Sequence, residues 1–132
     1  RTYDGEVWGL CFDRVELVRS DGSDALTFHD AGSLAPLRRV RVTLNGRALR
    51  YLNELECVHG ELWANVWQTD AIVRIDPVDG RVTARVDASE RRRRLPTDGG
   101  VLNGIAYRDD RGTFLLTGKN WPLLFEVSFV ER

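Results

Sequence analysis

Three short segments of this chain repeat one pattern: Trp8-Gly9-Leu10-Cys11-Phe12, Asn53-Glu54-Leu55-Glu56-Cys57 and Asn103-Gly104-Ile105-Ala106-Tyr107. They begin 45 and then 50 residues apart. In each, the third and fifth positions are apolar: Leu10 and Phe12, Leu55 and Cys57, Ile105 and Tyr107. Apolar side chains two residues apart fall on one face of an extended chain, so each segment predicts a strand with that face buried. A second β-type run follows each time (Val15–Ser20, Glu61–Val66, Thr113–Thr117), and then a third (Ala25–His29, Ala71–Ile75, Leu123–Val127). A fourth run, Arg39–Thr43 and Arg81–Val86, completes the first two units, and the last unit stops after its third. Turn chemistry separates the third and fourth runs, as in Asp76-Pro77-Val78-Asp79-Gly80, where Pro presets φ and Gly supplies a positive one. No stretch carries an amphipathic helical period. Four short antiparallel strands recurring at this spacing predict an all-β fold, a β-propeller of four-stranded blades. The blades span about residues 5–43, 50–87 and 100–132 of a single domain. A propeller closes only with roughly four or more blades, so the pattern predicts that an N-terminal part, more readily than other chains, completes the ring and supplies the last blade's fourth strand.

The functional stretch is expected at Asn53 to Asp70. Its two runs, Leu55–Val58 and Glu61–Val66, meet at His59-Gly60, a pair suited to a tight hairpin turn. A hairpin returns to the edge where it began, so Asn53-Glu54 and Trp67-Gln68 should end up together. The same reasoning in the other units brings Trp8 near Asp21-Gly22, and Asn103 near Gly118-Lys119, with Trp121 on the same loop. Indoles, amides, a carboxylate and an amine on one rim suit a small polar ligand, and loops that converge at one end of a propeller are where ligands bind. Each residue has a structural reading too. Trp8 and Trp67 could pack between blades, Asn53 and Asn103 could be turn formers, Lys119 a solvated lysine, Glu54 and Glu56 caps on strand ends, and Asp21-Gly22 only a turn.

Composition narrows the classes. The chain has 132 residues, 42% apolar and 30% charged, with a net charge of −1. That balance argues against a nucleic-acid or anionic-membrane partner held by bulk charge, and no apolar run approaches the roughly 18–20 residues that span a bilayer. Arg91 to Arg94 lie in a loop, Ser89–Gly100, and read as a solvated face or as an anionic contact near the mouth of the site. Gly46–Tyr51 is a second loop on the side of Asn53. The two cysteines occupy different places in the repeat, Cys57 on the face of Leu55 and Cys11 not, so packed, reduced thiols are expected rather than a disulfide. The two histidines, His29 and His59, are too few and too far apart for a metal triad. No Ser/His/Asp or Cys/His set and no phosphate-cradling glycine loop is present.

At these residues the chain resembles the plant- and bacterial-type glutaminyl-peptide cyclotransferases, or glutamine cyclotransferases. The stretches that carry the resemblance are WGLCFD, SDGSDALTFHD, LNELECVHGELWANVWQTDAIVRIDPVDG, VLNGIAY and TGKNWPLLFEV. The resemblance implies a five-bladed propeller, of which about the first two blades would be absent here. It implies a transferase that turns the N-terminal glutamine of a peptide or protein into pyroglutamate with release of ammonia, uses no cofactor and no catalytic zinc, and acts as an exported monomer when complete. It also implies roles. Trp8 and Trp67 would wall the substrate pocket, Asn53 would hydrogen-bond the substrate, and Lys119 would stabilise charge on the γ-carbonyl oxygen. Glu54, Gln68, Asn103 and Trp121 would support them. The Phe-Gly-Glu-Gly motif that carries the family's proton-shuttling glutamate does not occur, and Glu6 is not its equivalent, so the chain alone is expected to lack the central acid/base. A non-catalytic propeller binding peptide N-termini or another small polar ligand, and a purely structural propeller segment, are the other readings.

Overall fold

The structure, a computed structural model, describes residues 5–130 apart from residue 97. The chain's first four residues and the last two of the expected third blade lie outside the described residues. The first sheet pairs β1 (Gly9–Phe12), β2 (Glu16–Ser20), β3 (Ala25–Asp30) and β4 (Pro36–Arg41) antiparallel in chain order. A small hairpin of β5 (Thr43–Leu44) and β6 (Arg47–Ala48) follows. The second sheet then pairs β7 (Leu52–Val58), β8 (Glu61–Val66), β9 (Ala71–Ile75) and β10 (Val82–Asp87). After the short helix α1 (Ser89–Arg93), β11 (Leu102–Arg108), β12 (Thr113–Gly118) and β13 (Phe125–Val127) form a three-stranded third sheet. This is the all-β, blade-by-blade arrangement the repeat predicts. His59 and Gly60 both hold positive φ, 49° and 84°, the mirror-image turn whose twist suits a two-residue hairpin.

Two elements are absent from the sequence reading, and β4 starts three residues before the expected Arg39–Thr43 run and ends at Arg41. The β5–β6 hairpin carries too few residues to show a period. Helix α1 stands where a loop is expected, built from local polar bonds rather than an apolar stripe. The Asp87 carboxylate accepts the Ser89 N–H, and Arg94 reaches Glu90 one turn back at 2.7 Å. The arginine run is partly neutralised in place, since Arg92 also reaches Asp70, while Arg93 donates to the Ser89 hydroxyl.

The sheets stack through their faces, with β7 packed between β1 and β11. One core lies between the first and second sheets around Val18, Phe28, Leu52, Leu62 and Ile75. The other lies between the second and third around Trp63, Ile72, Leu102, Phe114 and Leu116. Each fully buried side chain of this size contributes about 1.5–3 kcal/mol of hydrophobic stabilisation. Leu55 and Ile105 turn to the preceding sheet and are buried. Leu10 occupies the same place in the repeat, but among the described residues no sheet precedes the first. Leu10 and Phe12 are therefore 54% and 51% exposed, and β1 buries Gly9 and Cys11 instead. The expected burial of the third and fifth positions thus fails in the first unit.

The expectation of two reduced thiols is also corrected. Cys11 and Cys57 form a disulfide with their Cα atoms 5.6 Å apart. Opposite faces of equivalent strands are what two stacked blades present to each other. The difference in face that separates the cysteines within the repeat is therefore what joins them between β1 and β7. The bond closes a loop with a sequence separation of 46, for which chain entropy sets a ceiling of about 4 kcal/mol. Reductant should lower the melting temperature of the protein and leave a Cys11→Ala/Cys57→Ala variant unchanged; equal melting of the oxidised parent and that variant would show that the bond contributes nothing.

Candidate functional site at one end of the sheets

The ladder registers bring the rim together. Gly9 pairs with Ser20, Leu52 with Val66 and Leu102 with Gly118, so each first strand starts where its second strand ends. Trp8, Asn53-Glu54, Asn103, Trp67-Gln68 and Lys119 consequently share one end of the three sheets. In β7 and β11 the register also shifts between Leu52 and Leu55 and between Leu102 and Ile105. A bulge sets two residues, Asn53-Glu54 or Asn103-Gly104, against one, and re-aims their side chains.

Asn53 is 6% exposed and reaches both neighbouring sheets. Its carbonyl accepts the buried Ser20 hydroxyl at 2.6 Å, and its side-chain amide donates to the Asn103 side-chain oxygen. Gly9 is required beside it, because a Cβ there would collide with the Asn53 carbonyl. The amide reading of Asn53 and Asn103 as turn formers is replaced by a bond from one blade to the next.

Beside this pair stands an aromatic wall. Trp8 meets Trp67 edge to face, ring centroids 5.4 Å apart. Trp8 covers Gly22, whose φ is +79° and where an added Cβ would sit 2.6 Å from the indole. Asp21 makes the turn expected of it, its carboxylate accepting the Ser23 N–H and hydroxyl. Burial pushes the Asp21 carboxyl up, but those bonds, with Arg19 and Arg39, outweigh it and hold the group below its ordinary value.

The third sheet contributes differently. Lys119 is exposed, and its side chain has no hydrogen bond or ion pair among the described residues, while its backbone is bonded to Gly100 and Val101. Trp121 is not part of the wall. Its indole N–H donates to the Gly100 carbonyl at 2.8 Å and its ring packs edge-on against Phe125, so it braces the loop that carries Lys119. Gln68 is exposed at a positive φ of 63°, a turn position that no Cβ-bearing residue favours.

Glu54 is the second residue of the bulge and Glu56 lies two positions on, within reach of the third sheet. Burial pushes the Glu54 carboxyl above its ordinary value, and the neighbouring Glu56 adds to this. Burial raises Glu56 as well, partly offset by the Tyr107 N–H, which donates to it at 3.1 Å.

Two residues at this end are missed by the sequence reading. Asn65 is fully buried opposite the β7 bulge, and neither its amide nitrogen nor its oxygen has a partner among the described residues. The only signal is an Asn inside the apolar run Trp63-Ala64-Asn65-Val66. Tyr51, at the end of the loop placed beside Asn53, tilts its ring against Trp67 at 5.9 Å. Nothing in its sequence neighbourhood singles it out. Two cavities, of about 1110 and 420 Å³, lie elsewhere, and none of the eight rim residues expected from the sequence lines either.

Residues 1–129 match the family model described as glutamine cyclotransferase. A glutaminyl-peptide cyclotransferase of Arabidopsis thaliana is 42% identical over 128 residues, 94% of this chain and 40% of that protein. The crystal structure of Myxococcus xanthus glutaminyl cyclase superposes with a TM-score of 0.89 at 43% identity, covering 96% of this chain and 56% of that one. Hsv2 of Kluyveromyces lactis shares only the fold, with a TM-score of 0.58 at 10% identity over 93% of this chain and 33% of that one. The chain therefore spans 40% of the plant relative and 56% of the bacterial one.

The raised Glu54 carboxyl has a consequence for stability. A carboxyl whose folded pKa lies above its unfolded value holds its proton longer in the folded state. Its ionisation therefore weakens the fold as pH rises from the unfolded value through the folded one. Glu54→Gln removes that effect, so its melting temperature relative to the parent should rise between pH 4 and pH 7. Calorimetry at the two pH values that gave a constant difference would contradict the assignment.

Proposed function

The chain belongs to the glutamine cyclotransferase family, and we propose that the protein carrying it converts the N-terminal glutamine of peptides to pyroglutamate with release of ammonia. In that reaction the α-amine nitrogen attacks the carbon of the substrate's own side-chain carboxamide. A carbon–nitrogen bond forms, the carbonyl oxygen becomes an oxyanion, and collapse breaks the bond to the departing nitrogen. One proton lost by the amine ends on that nitrogen, which leaves as ammonia from a five-membered lactam.

Because both reacting groups sit in one residue, the protein's task is to fold the side chain back on the amine, steady the oxyanion and pass a proton. The observation that carries the reading is Asn53: a buried amide bonded across two blades beside the Trp8–Trp67 pair, in a chain 43% identical to a glutaminyl cyclase of closely similar fold. Asn53 hydrogen-bonds the substrate, and the indoles of Trp8 and Trp67 wall the side chain and exclude water. The ammonium of Lys119, free of any carboxylate among the described residues, stabilises the developing oxyanion or holds the substrate. Asn103 orients Asn53 through the amide pair. Glu54, Gln68 and Trp121 act in support, Trp121 by holding the Lys119 loop against Gly100.

The test is ammonia release from a Gln-initiated peptide by the protein in its natural full length. Turnover supports the enzyme, binding without turnover a peptide-N-terminus binder, and neither a structural role. Lys119→Ala should lower turnover several-fold or more with the melting temperature unchanged, since the side chain is exposed and alanine keeps its Cβ; unchanged turnover removes Lys119 from the mechanism. Trp67→Ala should act mainly on KM, and an unaltered KM would exclude the indole from the pocket wall.

A further inference from the structure

Among the described residues, Tyr51 is the one large aromatic residue of this end whose backbone is held in the left-handed region, with φ of 66°. It lies in no two-residue hairpin turn, where such a conformation serves the strand twist, but immediately before β7. A Cβ-bearing residue is disfavoured there, and glycine would hold the same geometry more easily. The conformation is imposed from both sides. The Tyr51 N–H donates to the Gly22 carbonyl of the first sheet at 2.9 Å, and the Trp67 N–H donates to the Tyr51 carbonyl at 2.8 Å. The backbone is thus fixed without any help from the side chain. Yet the side chain is only partly covered. The residue is 49% exposed, and its ring contact is with Trp67, itself set against Trp8. A strained residue whose side chain stays in solvent beside a binding wall is the pattern expected of a functional contact rather than a structural one.

Depth says which part of a ligand it meets. Asn53 is 6% exposed, Trp8 and Trp67 are half-buried, and Tyr51 is the outermost ring of the series. On the function proposed above, the substrate's terminal residue has both its amine and its side chain engaged at the inner end of that series. Only the chain that follows can lead outward. We infer that Tyr51 is a specificity-determining residue: its exposed ring packs against the second residue of the peptide and favours flat or apolar side chains there. The rest of the peptide, carrying no fixed chemistry, leaves past this ring into solvent.

The experiment compares two peptides that differ only at the second position, Gln-Phe and Gln-Gly initiated, on the parent, Tyr51→Gly and Tyr51→Phe. Affinity is read from quenching of tryptophan fluorescence, which needs no turnover, alongside KM and kcat from ammonia release. The parent should bind the Phe peptide about tenfold more tightly or better. Tyr51→Gly should bring the two peptides to within about twofold of each other through loss on the Phe peptide, with kcat within a few-fold and a melting temperature equal to or above the parent's. Tyr51→Phe should keep the preference, since the ring is retained.

Equal affinity of the parent for both peptides overturns the inference, even if Tyr51→Gly does not fold. So does a Tyr51→Gly variant that keeps the preference, or one that weakens both peptides alike. A parent that releases no ammonia from either peptide overturns the enzymatic reading instead, while the fluorescence titrations still decide for or against Tyr51.

Discussion

Asn53 is where the three sheets are tied to one another. Its carbonyl takes the Ser20 hydroxyl of the first sheet, its amide reaches Asn103 of the third, and Gly9 stands against it because no side chain fits. These contacts gather where the strand bulges at Asn53-Glu54. A strand with regular alternation would send Asn53 and Glu54 to strictly opposite faces, and the extra residue frees the Asn53 side chain to reach sideways to the next blade. The same irregularity at Asn103-Gly104 supplies the acceptor. Two copies of one local defect, fifty residues apart in the chain, thus make one inter-blade bond.

Features that oppose stability gather at this end of the molecule. Glu54 is a part-buried carboxyl held above its ordinary pKa, Asn65 is a buried amide with no partner among the described residues, and Tyr51 and Gln68 hold left-handed backbone. Each works against the folded state by a mechanism of its own: desolvation, an unmade hydrogen bond, steric strain. At the opposite end Arg14, Leu34 and His59 also hold positive φ, each in a turn between two strands, so the backbone cost is spread over both ends. The packed cores between the sheets, with Phe28, Leu52, Ile72 and Leu116 fully buried, supply the stability that offsets it.

The disulfide shows how a face assignment can be right and its consequence missed. Cys11 and Cys57 do lie on different faces of corresponding strands, which within a single sheet would keep them apart. In a stack, the face one blade turns forward meets the face the next turns back. The same geometry explains why Leu10 and Phe12, apolar by the repeat, are exposed while Leu55 and Ile105 are buried: the repeat records which way a side chain points, and only the neighbouring sheet decides whether anything covers it.

What the sequence determined by itself was local and periodic. The two-residue period placed the strands, His59-Gly60 and the Asp-Pro/Gly segments placed the turns, and the 45–50-residue recurrence gave the blades and one common end for Trp8, Asn53, Trp67 and Asn103. Helix α1 and the β5–β6 hairpin escaped because a single turn or two residue pairs are shorter than any period that could reveal them. The tertiary structure alone decided the partnerships. It joined Cys11 to Cys57 and Asn53 to Asn103, made Trp121 a brace on the Lys119 loop, and left Asn65 sealed behind the bulge. It also brought Tyr51 out against Trp67. Those outcomes depend on which surfaces meet when the sheets stack, and pairings between residues some fifty positions apart leave no trace in the local pattern of either.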